Sequence, residues 1–159
     1  MAATVHEDSG PRTLTDADFP KIISVDDHVV EPPNVWQDRL PQKYKDVGPR
    51  IVTAPQGEMA LVDGAWVEQP GTGDTMASWW HYEDHVYQIK EMIACAGKDP
   101  AEVTMQGVTY DDIRPGCYEP KARLEDMDEN HVEASLCFPN YPRFCGQLFA
   151  ERKDKALSK

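Results

Sequence analysis

Four side chains able to bind a metal or move a proton crowd the end of one apolar run. The run is Ile22-Ile23-Ser24-Val25-Asp26-Asp27-His28-Val29-Val30-Glu31-Pro32-Pro33. A β-branched stretch that turns polar and stops at two prolines predicts a buried strand with its chemistry at the C-terminal end. Strand side chains alternate faces. Asp26 and His28 are therefore expected on one face and Asp27 on the other. A carboxylate oxygen beside an imidazole nitrogen is half of a mononuclear metal site, and the donors suit zinc, manganese or iron. D-x-H is short, and a structural Asp–His hydrogen bond satisfies it equally. What argues for more is the cost of leaving two carboxylates and a histidine unpaired at the end of a buried strand.

Other clusters carry less. His81 and His85 stand four apart, but Tyr82 occupies the place of the glutamate in H-E-x-x-H, so capping or surface histidines are the plainer expectation. Glu125, Asp126, Asp128 and Glu129 lack the glycine and alternation of a calcium loop and read as a solvated helix face. Pro70–Ala77 contains two glycines but no G-K-[ST], and reads as a linker. Cys95, Cys117, Cys137 and Cys145 form no C-x-x-C, which predicts reduced thiols.

The elements that must position these groups follow from pattern and turn chemistry. Residues 1–20 are polar and aperiodic, and read as a flexible arm without a basic or apolar leader segment. Residues 50–69 read as a hairpin, with Asp63-Gly64 as a type I′ turn between apolar arms. Val86, Ile89 and Ile93 at i, i+3, i+7 predict a helix from about Tyr82, stopped at Gly97. Pro120 opens a second helix, in which Leu124 and Met127 are expected to face a core and Asn130 to terminate in the left-handed conformation. Val132, Ala134, Leu136 and Phe138 alternate as a second strand ended by Pro139. Strand, helix and strand in that order predict a parallel βαβ unit.

Composition bounds the function. The chain has 159 residues, 40 % hydrophobic, with 13 prolines and a formal charge of −12. That charge argues against nucleic acid and anionic membranes as partners. No apolar run approaches the ~18 residues a membrane span needs.

The first strand, ISVDDHVVEPPNVW, resembles the first strand of the amidohydrolase-related superfamily, in the branch of the aminocarboxymuconate semialdehyde and resorcylate decarboxylases. WWHYEDHVYQIK and RPGCYEPKARLEDMDENHVEASLCFPNYPRFCGQLF resemble later segments of the same group. The likeness runs over about residues 20–159. It implies an α/β fold, an incomplete (β/α)8 TIM barrel of two strands and their helices with an inserted β-hairpin. It implies a metal-dependent hydrolase or carboxy-lyase acting on a small carboxylic acid. One divalent cation, zinc first and manganese or iron next, would be held by Asp26 and His28. The family's remaining ligands, two histidines and an aspartate on later strands, have no counterpart here, so the chain alone is expected to be inactive. Glu31, Asn140 and Arg143 are the candidate substrate-binding residues. A cytoplasmic location is expected, with either a homo-oligomer or a completing chain. The alternative is a truncated, partner-binding subunit without catalysis.

Overall fold

The computed structural model describes residues 13–158. Most of the expected N-terminal arm (residues 1–12) lies outside the described residues. Among the described residues seven strands run in the order β1 (Ile22–Val29), β2 (Arg50–Pro55), β3 (Gly57–Val62), β4 (Ala65–Pro70), β5 (Met76–Tyr82), β6 (His85–Gln88) and β7 (Val132–Pro139). Two helices accompany them, α1 (Pro120–Glu129) and the short α2 (Gln147–Glu151).

This corrects the expected barrel. β1 and β7 do pair in parallel, but β2-β5-β6 and β3-β4 are antiparallel sheets. A barrel requires successive parallel strands, each followed by a helix. Here the chain between the two parallel strands is spent mainly on antiparallel pairing, and only α1 and α2 are α-helical among the described residues.

The helix expected from about Tyr82 is instead the last residue of β5, a turn, β6 and the 3-10 turn Glu91–Ile93. Ala77, Trp79 and Trp80 are shut away within β5, and Tyr82 at its end is too. The aromatic run fits a pleated surface better than a helix. Glu83 takes a positive φ of 53° in the two-residue turn before β6. Of the supposed helical stripe, Ile89 is buried but Val86 is 38 % exposed. β2, read from sequence as an arm of the 50–69 hairpin, pairs instead with β5, from Arg50↔His81 to Pro55↔Met76. β3 and β4 pair across Asp63-Gly64, whose φ values of 51° and 82° are those of a type I′ turn.

α1 begins with Pro120 at its first turn, where a missing N–H costs nothing. Asn130 ends the helix with φ −100°, its side chain donating to the Asp126 carbonyl at 2.7 Å. The left-handed residue is the next one, His131, at φ 56°. Leu124, expected to face a core, is exposed.

The core sits away from the parallel pair. Val30, Trp80, Tyr82, Ile89, Ile113, Tyr141 and Leu148 pack together. Trp80 stacks on Tyr141 at 5.0 Å and meets the edge of Trp36 at 4.8 Å. The β1–β7 pair, by contrast, is not the buried unit its sequence predicts: Ile23, Val25 and Leu136 are all more than half exposed. Two strands with one helix beside them have too few neighbours to cover both faces.

Candidate functional site

The C-terminal ends of β1 and β7 lie side by side, with His28 opposite Phe138 and Val29 opposite Pro139. Asp26 and His28 do approach each other. His28 Nε2 is 4.0 Å from Asp26 Oδ1, and both side chains are exposed. Two ligands of a tetrahedral zinc with bonds of ~2.1 Å stand about 3.4 Å apart. A small rotation of either side chain closes that gap, so the pair fits two positions of an N/O metal site. Among the described residues no cluster of three or more His, Cys, Asp or Glu side chains is placed to hold a metal.

Asp27 turns the other way, toward α1. Its carboxylate accepts from Arg123 Nη2 at 3.0 Å and from the Ser135 hydroxyl. The Ser135 hydrogen bond, opposed by burial and helped by Ser24 and Arg123, holds its pKa below the ordinary carboxylate value. Asp27 therefore stays ionised and locks β1, α1 and β7 together. The sequence signal for this role is its opposite phase to Asp26 and His28. Nothing local marks Arg123 as its partner, 96 positions away.

Glu31, a candidate for substrate, is engaged by the backbone. One carboxylate oxygen accepts the Asn140 N–H at 2.8 Å, and both lie within 3.2 Å of the Tyr141 nitrogen. The Tyr110 hydroxyl donates to the Glu31 carbonyl at 2.6 Å. Burial raises the Glu31 pKa against these amide hydrogen bonds, which lower it. The same burial pushes the Tyr110 and Tyr141 phenols up. Asn140 is also occupied: its side-chain nitrogen donates to the Val29 carbonyl at 2.9 Å. Glu31 and Asn140 thus staple the end of β1 to the end of β7. Arg143 stands farther out, exposed, with its guanidinium 3.3 Å from Glu151.

His81 and His85 sit on β5 and β6, on either side of the Glu83-Asp84 turn. Burial lowers the pKa of both, helped by Arg50 at His81 and by Arg152 and Arg143 at His85. His85 packs edge-on against Tyr141. They are packing residues of the antiparallel sheet.

A cavity of about 350 Å³ opens beside His28 and is lined in part by Asp27, Cys95, Cys117 and Arg123. It offers one imidazole, the paired Asp27 carboxylate and Arg123 guanidinium, and two thiols to whatever enters. Compared with known proteins, the chain matches no family model and no curated protein.

Proposed function

We propose that this chain carries part of the site of a metal-dependent hydrolase or carboxy-lyase, similar to the amidohydrolase-related enzymes and acting on a small carboxylic acid. The observation that supports it is the Asp26–His28 pair, oxygen and nitrogen 4.0 Å apart at a strand end beside a cavity. Asp26 Oδ1 and His28 Nε2 would be two ligands of one divalent cation, with zinc the first choice and manganese or iron next. Such a cation supplies Lewis acidity, which either acidifies a water or polarises a bound carboxylate. The protein's own contribution is positional. Asp27 and Arg123 hold the strand end from behind, and Glu31 fixes it to the chain after β7. Two protein ligands give weak affinity, because zinc sites use three or four, so further ligands would be needed beside Asp26 and His28. A cytoplasmic location accompanies this reading; among the described residues no helix is long and apolar enough to cross a membrane.

Calorimetric titration of the full chain with Zn²⁺ tests the assignment. Weak binding is expected, and Asp26→Ala/His28→Ala should abolish it. Binding that survives the double variant removes these residues from the site.

A second reading, a partner-binding subunit without catalysis, is favoured by the bare β1–β7 sheet, where Ile23, Val25 and Leu136 face solvent. Its partner would be a completing chain or a second copy. Sedimentation across concentrations decides: a cooperatively folded monomer at all concentrations argues against it.

A further inference from the structure

The cysteine spacing lacks any C-x-x-C, yet Cys117 shares a cavity with each of two other thiols. Cys117 lines a cavity of about 260 Å³ together with Cys137, and the cavity of about 350 Å³ together with Cys95 and His28. Cys95 and Cys117 are both half-buried and both free. The Ala96 backbone N–H bears on the Cys117 sulfur. That nitrogen belongs to the peptide unit that begins at Cys95.

Both residues sit in irregular chain that can adjust. Cys95 follows the 3-10 turn Glu91–Ile93, and Cys117 closes the 3-10 turn Pro115–Cys117. Cys137 is fixed within β7, its sulfur 3.3 Å from the Ser135 hydroxyl. Arg123, Asp126 and Arg114 all act on Cys117. The thiolate is the nucleophile in thiol oxidation.

We propose that Cys95 and Cys117 form an oxidisable dithiol, which a hydroperoxide converts to a disulfide across the cavity beside His28. In the first step the Cys95 sulfur attacks a peroxide oxygen. The O–O bond breaks, water leaves when the peroxide is H₂O₂, and Cys95 becomes a sulfenic acid. The Cys117 sulfur then attacks the Cys95 sulfur. The S–O bond breaks, a second water leaves, and the S–S bond forms. Two thiols give up two electrons and two protons, and one peroxide takes them. Burial raises the Cys117 thiol pKa, which suits it to the second role. The Cys117 carbonyl accepts the Val30 N–H at 2.9 Å, so the cross-link ties the Cys95 segment to the strand end that carries His28.

The test is a titration of the full chain with H₂O₂ up to one equivalent, followed by thiol counting, alkylation and non-reducing peptide mapping. Lys98 lies between the two cysteines, so trypsin separates them. The expected result is loss of two of the four thiols and a linked Cys95–Cys117 peptide pair. The pair should persist in Cys137→Ser/Cys145→Ser and be absent from Cys95→Ser. A Cys117–Cys137 link, an intermolecular link, or oxyacids without any cross-link overturns the proposal. The wild-type map alone decides, so the proposal stands or falls even where a variant folds poorly.

Discussion

Glu31 holds Tyr141 by its backbone: the Tyr141 nitrogen lies 3.2 Å from one carboxylate oxygen of Glu31 and 3.1 Å from the other. The contact spans 110 positions of sequence. It joins the last turn out of β1 to the first residues after β7, and both residues are buried.

Removing that acceptor strands two amide donors, those of Asn140 and Tyr141. Glu31→Ala is expected to destabilise the fold by about 2 kcal/mol, within the usual range for buried unsatisfied groups. Glu31→Gln keeps one acceptor oxygen and should cost less. Urea denaturation followed by tryptophan fluorescence measures both. Equal stability of the three proteins would mean the amides find other partners.

The pH dependence has a sign. Burial raises the Glu31 pKa above 4.5, so the fold binds this proton more tightly than the unfolded chain does. Its contribution is complete below pH 4.5 and is lost as pH rises through the folded value. His81 and His85 act in the opposite sense. Burial lowers their pKa below 6.5, so their contribution is complete above 6.5 and is lost as pH falls through the lowered values. Glu31→Gln should therefore steepen the gain of stability with rising pH above 4.5, while His85→Gln should flatten it. Denaturation midpoints across pH 4–8 read both slopes, and a variant profile parallel to wild type contradicts its half of the assignment.

Gly64 has open space around its Cα but a φ of +82°. Any cost of Gly64→Ala is thus conformational, about 1–2 kcal/mol. The β3–β4 hairpin touches the rest of the molecule through few anchors, chiefly the Gln88 side chain accepting from Gly57 N at 3.2 Å and the Lys90–Glu68 pair at 3.0 Å. Hydrogen exchange should accelerate in residues 57–70 and leave β5 and β6 unchanged. Uniform acceleration would show the hairpin to be part of the global unfolding unit.

Gly116 presents the opposite case. A Cβ there would collide with Asp126 Oδ2, within the Arg114–Asp126 ion pair. Gly116→Ala should cost about 1–3 kcal/mol by overpacking. The penalty should shrink in an Asp126→Ala background, where the obstructing carboxylate is gone. Additive costs would place the strain elsewhere.

Local features of this fold were legible where local chemistry decides. Asp63-Gly64 and Pro120 mark a turn and a helix start with side chains that act within four residues of themselves. The 76–88 stretch was not legible, because Val86, Ile89 and Ile93 mimic a helical stripe. What makes β5 a strand is β2, more than twenty residues upstream, which supplies its ladder. The barrel reading failed for a related reason: a parallel pair can be read from two strands and a helix, but the β2-β5-β6 sheet between them cannot. In the site, period-two alternation brought Asp26 and His28 together. It could not show that Glu31 and Asn140 are used up by backbone groups, since those partners come from the other end of the chain.

The four tryptophans divide between two places. Trp79 and Trp80 are fully enclosed and Trp36 packs edge-on against Trp80, while Trp66 on the hairpin is 67 % exposed. The molecule thus carries two optical channels without any label. Blue-shifted emission, shielded from iodide or acrylamide, reports the enclosed tryptophans of β5. The red, quenchable fraction reports the hairpin. Anything that lands on the hairpin alone would change the second signal and leave the first still.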